Sequence, residues 1–103
     1  MTQEHHVAKV GDIEAEAGKQ FKIGGLDIAV WNYEGKYYAT DAICTHAWVS
    51  LTEGTLEDGC IECPLHGGLF DLVTGKAQGA PVFVGLNTYP IRIDGDDIVI
   101  ETP

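Results

Sequence analysis

Cys44-Thr45-His46 and, after sixteen intervening residues, Cys63-Pro64-Leu65-His66 are the stretches of this chain best suited to chemistry. Each offers one thiol and one imidazole, and both groups give a lone pair to a metal. Four such donors complete a tetrahedral ion or share a cluster. The chain has only three Cys and four His, so half or more of each falls within this one pattern. Structural zinc takes Cys₂His₂ as well, but zinc sites tend to pair like with like along the chain. Here each run carries one of each, which suits two irons, one held by sulfur and one by imidazole, provided that the two runs face each other.

The pattern resembles the Rieske family of 2Fe–2S proteins. Pro64 follows the second Cys, Gly67 and Gly68 follow the second His, and Phe70-Asp71 and Thr74-Gly75-Lys76 come next. Gly79-Ala80-Pro81 stands where the family has a proline loop over the cluster. The resemblance implies one 2Fe–2S cluster, with Cys44 and Cys63 on the inner iron and His46 and His66 on the outer. Two ferric ions, two sulfides and two thiolates then sum to zero charge. A neutral centre accepts an electron more readily than an anionic four-thiolate one.

The departures from the family's high-potential respiratory members are informative. Those carry a Ser and a Tyr where this chain has Gly68 and Phe70, so two hydroxyl donors to the cluster are missing. They also link the two cluster loops by a disulfide, at positions held here by Val49 and Leu65. Hydrogen bonds to cluster sulfurs raise the potential. The expected potential is therefore at the low end of the Rieske range, roughly −150 mV.

Within the family, the chain looks like the stand-alone ferredoxins of bacterial aromatic-ring-hydroxylating dioxygenase systems, of biphenyl and naphthalene type. The likeness lies in Cys44-Thr45-His46, Gly54-Thr55-Leu56-Glu57 and Ile61-Glu62-Cys63-Pro64-Leu65-His66. It implies an electron carrier rather than an enzyme, a monomer between an NAD(P)H-dependent flavoprotein reductase and a terminal oxygenase. The alternatives are a Rieske-like accessory subunit of another reductase or oxygenase, and a zinc-stabilised module.

The elements that must position these residues read as all-β. Val7 and Val10 mark a first edge strand. Phe21 and Ile23 alternate with polar neighbours, Gly24-Gly25 signals a hairpin, and Leu26, Ile28 and Val30 share a face. Asn32-Tyr33-Glu34-Gly35 is the next turn and Lys36 to Thr40 returns, giving an antiparallel meander. Short strands around Leu56, Ile61, Leu69, Phe70 and Leu72 follow, with turns at Asp58-Gly59 and Thr74-Gly75. Tyr89, Ile91 and Ile93 face one way, and Ile98 and Ile100 form the last strand. The expected architecture is a single Rieske domain, 1–103: an antiparallel β-sandwich of residues 1–40 and 85–103. A smaller β cluster-binding subdomain, about 41–84, is inserted in it.

Net charge is −10 and the pI about 4.5. That disfavours nucleic acid and anionic membrane surfaces, and suits a basic partner. No apolar run approaches a membrane span, the first residues lack a signal peptide's pattern, and an odd Cys count argues against a disulfide framework. The expected location is the cytoplasm. Cys60 makes a C-x-x-C with Cys63 but reads as a packed strand thiol, and His5 and His6 read as solvent-facing. Trp48, Leu65, Pro81 and Val82 either shield the cluster or form an apolar docking rim. The acidic spacer residues Glu53, Glu57, Asp58 and Glu62 are a solvated face or an orienting patch for a basic partner.

Overall fold

The computed structural model describes residues 2–45, 47–65 and 67–103. Its strands are β1 (Gln3–Lys9), β2 (Ala17–Ile23), β3 (Leu26–Tyr33), β4 (Lys36–Asp41), β5 (Thr55–Glu57), β6 (Cys60–Glu62), β7 (Leu69–Asp71), β8 (Thr88–Tyr89), β9 (Ile91–Asp94) and β10 (Asp97–Thr102). They form three antiparallel sheets, ordered β1-β10-β9, β2-β3-β4-β8 and β5-β6-β7. Among the described residues there is no α-helix, only two short 3₁₀ turns at Val10–Asp12 and Leu51–Glu53.

Hairpin chemistry fixes the meander. Gly24-Gly25, Glu34-Gly35 and Asp58-Gly59 each hold two successive residues at positive φ. Two-residue turns with both central residues left-handed match the twist of the strands they join. The third of these sets the β5–β6 hairpin, so the small sheet is built by the same device.

β3 is the hinge between two cores. Ile28 and Val30 pack into one cluster with Ile13, Ile23, Ala39, Ile98 and Ile100. Ala29 and Trp31, on the opposite face, join a second cluster with Cys44, Leu51, Ile61, Cys63, Phe70, Leu72 and Val82. The alternation in the sequence marks only the first face. The second is buried because the 42–86 stretch packs on it. Leu26, expected to share the Ile28 face, is exposed at the strand's start. Trp31 fits through its cross-strand partner: a Cβ at Gly18 would lie 2.4 Å from the indole. The indole N–H donates to the Thr40 hydroxyl at 3.0 Å, leaving no buried donor unsatisfied there.

The last expected strand divides. Pro90 has no N–H to give a ladder. Thr88–Tyr89 pairs with β4, and Ile91–Asp94 pairs with β10 in another sheet. Ile93 ends up exposed rather than sharing a buried face with Tyr89. Tyr33 and Asn32 belong to β3, so that turn is shorter than its sequence suggests.

Candidate metal centre

Three loops meet at one end of the second core. The first runs from the end of β4 to Ser50. A bridge between Ile43 and Ser50 and the Cys44 N–H donating to the Val49 carbonyl at 3.1 Å close it. The second leaves β6 and returns at β7, closed by the Cys63 N–H on the Gly68 carbonyl at 2.7 Å. The third contains Gly79 and Val82, whose bridge carries the Val82 N–H to the Gly79 carbonyl at 3.1 Å.

The loops are fastened to each other. Thr45 donates its hydroxyl to the Val84 carbonyl at 2.7 Å, joining the first and third. A Cβ at Gly68 would lie 2.7 Å from a Val82 methyl, so the second and third loops touch at van der Waals distance only because residue 68 has no side chain. At the base, Asp41 accepts from the Tyr89 hydroxyl at 2.6 Å and from the Asn87 N–H at 2.8 Å. Its own N–H donates to the Asn87 carbonyl. The strand that leads into Cys44 is thereby tied to the chain leaving the third loop.

Within this frame Cys44 and Cys63 are both buried, and the Cys63 thiol is within hydrogen-bond reach of Cys44. No disulfide joins them. Burial pushes the Cys63 thiol up, the Leu65 N–H directed at it works the other way, and the neighbouring Cys44 adds to the rise. A thiol raised by burial in this way keeps its proton. A bound cation reverses that, since a coordinating thiol is deprotonated outright. Two buried, adjacent cysteines outside any disulfide, one with an amide N–H aimed at its sulfur, are therefore a donor set that fits iron–sulfur ligation.

His46 and His66, the other two expected ligands, lie outside the described residues. Among the described residues no group of three or more His, Cys, Asp or Glu gathers as a metal site. Cys60 sits in β6, half-buried and apart from the facing pair. Burial, then the Asp71 and Asp58 carboxylates, hold its thiol up, which opposes reactivity. His5 and His6 are engaged by Thr102 and Asp97 on β10, so His5 is less free than its position near the terminus implies.

The apolar loop residues separate. Val82 is fully buried over Gly68, whereas Trp48 and Leu65 are exposed. Phe83 and Val84, for which the sequence analysis offers no role, are exposed in the third loop. The signal available is the apolar run Val82-Phe83-Val84 in a stretch with no strand alternation, between Pro81 and Gly85. The acidic spacer residues Glu53, Glu57 and Asp58 are exposed and Glu62 half-buried.

The Rieske [2Fe-2S] domain model matches residues 3–90. The ferredoxin component of the naphthalene 1,2-dioxygenase system of Pseudomonas aeruginosa is 44% identical over 79 residues, covering 77% of this chain and 76% of that protein. The ferredoxin component of biphenyl 2,3-dioxygenase of Rhodococcus jostii (strain RHA1) is 37% identical over 95 residues, covering 92% and 89%. A solved complex of reduced oxygenase and oxidized ferredoxin in carbazole 1,9a-dioxygenase contains a chain that superposes with a TM-score of 0.86 at 31% identity, over 94% of this chain and 91% of that one.

Proposed function

The chain belongs to the Rieske [2Fe-2S] domain family, and from that membership we propose that it is the ferredoxin of an aromatic-ring-hydroxylating dioxygenase system. It takes single electrons from an NAD(P)H-dependent flavoprotein reductase and passes them to the Rieske centre of a terminal oxygenase. The observation that carries this reading is the Cys44–Cys63 pair: two buried cysteines, not joined by a disulfide, brought together by separate loops.

We assign Cys44 and Cys63 as the thiolate ligands and His46 and His66 as the imidazole ligands. The loops that bear them belong to a cluster-binding subdomain of about residues 41–84, inserted between 1–40 and 85–103. When bound, the cluster supplies a one-electron couple. The chain's own residues do the rest. Cys44 and Cys63 would supply, as thiolates, the two negative charges that two ferric ions and two sulfides leave unbalanced. The Leu65 N–H is directed at Cys63 sulfur, where it favours the thiolate. Leu51, Ile61, Phe70 and Val82 exclude water from the sulfur side. A centre with four protein ligands leaves no open position for substrate, which suits a carrier rather than a catalyst. No helix among the described residues is long and apolar enough to cross a membrane, and thiols outside disulfides suit the reducing cytoplasm.

Iron and acid-labile sulfide analysis with a visible spectrum that bleaches on dithionite tests the cofactor. A colourless, sulfide-free protein with bound zinc overturns it. Reconstitution with candidate reductases and oxygenases, following NADH-dependent product formation, tests the carrier role.

A further inference from the structure

Resting on the carrier reading above, we propose that the Glu62 carboxylate is a fixed negative charge that holds the reduction potential of the cluster down. It acts separately from the missing hydroxyl donors at positions 68 and 70. β6 is the middle strand of the small sheet, and Glu62 ends it with Thr55 opposite on one side and Leu69 on the other. Its neighbours Ile61 and Cys63 are buried, so alternation turns the Glu62 side chain to the other face, where it is half-buried. One carboxylate oxygen accepts from the Thr55 hydroxyl at 3.3 Å. The other lies 3.3 Å from the position that a Cβ would take on Gly67, in the second loop. The side chain therefore reaches from β5 to that loop, across a cleft of about 280 Å³ that Cys63 also lines. Gly67, at a φ of 69° and without a side chain, leaves it the space.

Nothing on these elements cancels the charge. Residues 42–75 contain no Lys or Arg, and among the described residues no cation forms an ion pair with Glu62. Consecutive Cα atoms are about 3.8 Å apart, so a carboxylate on residue 62 sits close to a thiolate on residue 63. Exposed charges are screened over roughly 8 Å, and partly buried ones are screened less. Glu53, Glu57 and Asp58 are exposed and act mainly through water, whereas Glu62 acts partly through protein. Reduction adds a negative charge to a neutral centre, and a like charge nearby raises the energy of the reduced state. The tie to Thr55 matters because the repulsion falls with distance, and a side chain free to swing into solvent would lose most of it.

Redox titration of the cluster-loaded protein at one neutral pH tests this, each variant being first checked for the parent's visible spectrum. Glu62→Gln keeps the shape and an oxygen for Thr55 but loses the charge. Its equilibrium should shift toward the reduced form by about threefold to tenfold, the upper figure being about 59 mV for one electron. Thr55→Lys places an ammonium across from an intact carboxylate and should shift the potential the same way. Glu62→Asp keeps the charge and should stay nearer the parent than Glu62→Gln does. Glu57→Gln, on the same hairpin but outside the cleft, should leave the potential at the parental value. A parental potential in Glu62→Gln overturns the proposal. So does an equal rise in Glu57→Gln, which makes overall charge the cause, or a rise in Glu62→Asp as large as in Glu62→Gln, which makes the side chain's reach the cause. Should Glu62→Gln shed the cluster, Thr55→Lys carries the same comparison, and a parental potential there overturns the proposal. A parent that assembles no iron–sulfur cluster, or a loaded parent that no oxygenase oxidises, overturns the carrier reading instead, a result distinct from an unmoved potential.

Discussion

The Thr45 hydroxyl donates to the Val84 carbonyl at 2.7 Å, across 39 residues of sequence. Thr45 is the residue between the two expected ligands of the first loop, and Val84 lies in the third. One side chain thus fixes the spacing of two loops. Thr45→Val keeps the shape and removes the donor. The bond is exposed, so the freed carbonyl finds water and the stability cost should be modest, about 0.5–1.5 kcal/mol. The cluster should be lost to chelators faster than from the parent, and Thr45→Ser should restore the parental rate. Equal bleaching rates in the valine variant argue that the clasp holds nothing.

The absent hydroxyl at position 68 has a steric counterpart. Any Cβ there meets a Val82 methyl at 2.7 Å. The parent's potential should lie near roughly −150 mV by redox titration. Gly68→Ser alone must displace Val82 and should destabilise the fold. Combined with Val82→Ala, the serine has room, and its hydroxyl should raise the potential. A parental value well above zero, or a double variant with an unmoved potential, counts against this account.

The hairpins were legible because Gly-Gly, Glu-Gly and Asp-Gly pairs interrupt alternating strands. That Cys44 and Cys63 come together was legible in the spacing of the two Cys–His runs. The second face of β3 was not: Ala29 and Trp31 fall between the apolar positions of the other face and are buried only once the 42–86 stretch folds over them. The split at Pro90 was hidden for a related reason, since alternation continues across it while the pairing partner changes. Nothing local in the sequence announces that Tyr89 and Asn87 converge on the Asp41 carboxylate. Long-range polar ties leave no period in a sequence.

Removing either facing thiol should abolish the cluster. Cys44→Ser and Cys63→Ser should yield colourless protein, as should replacing His46 or His66 by a non-ligating residue. Cys60→Ser should keep the visible spectrum, because Cys60 lies in β6 apart from the facing pair. A bleached Cys60→Ser protein would place that thiol in the site.

Gly75 combines a positive φ of 77° with a Cβ position 2.2 Å from the Leu86 carbonyl oxygen, the residue whose N–H it accepts at 2.7 Å. Gly75→Ala should cost about 1–2 kcal/mol for the left-handed backbone. Displacing Leu86 should add roughly 1–3 kcal/mol. Against a total stability of about 5–15 kcal/mol, that should lower the denaturant midpoint sharply. A midpoint close to the parent's means that the third loop shifts freely and is not braced from Gly75.

Tyr89 gives the fold an alkaline limit. Burial first, then its hydrogen bond to the Asp41 carboxylate and that carboxylate's charge, push the phenol well above its ordinary value of 10.0. A group whose folded value is raised contributes stability that is whole below its unfolded value. Above about pH 10 the unfolded chain releases the proton while the folded chain retains it, so stability falls as pH rises. Tyr89→Phe should be less stable at neutral pH by about 1–2 kcal/mol, having lost the bond to Asp41. Its stability should then decline less steeply than the parent's above about pH 10, and the two curves should converge. Denaturant unfolding across that range checks the sign. Parallel curves would mean that the phenol titrates alike in folded and unfolded chains, and that the Asp41 tie does not hold the base of the loops.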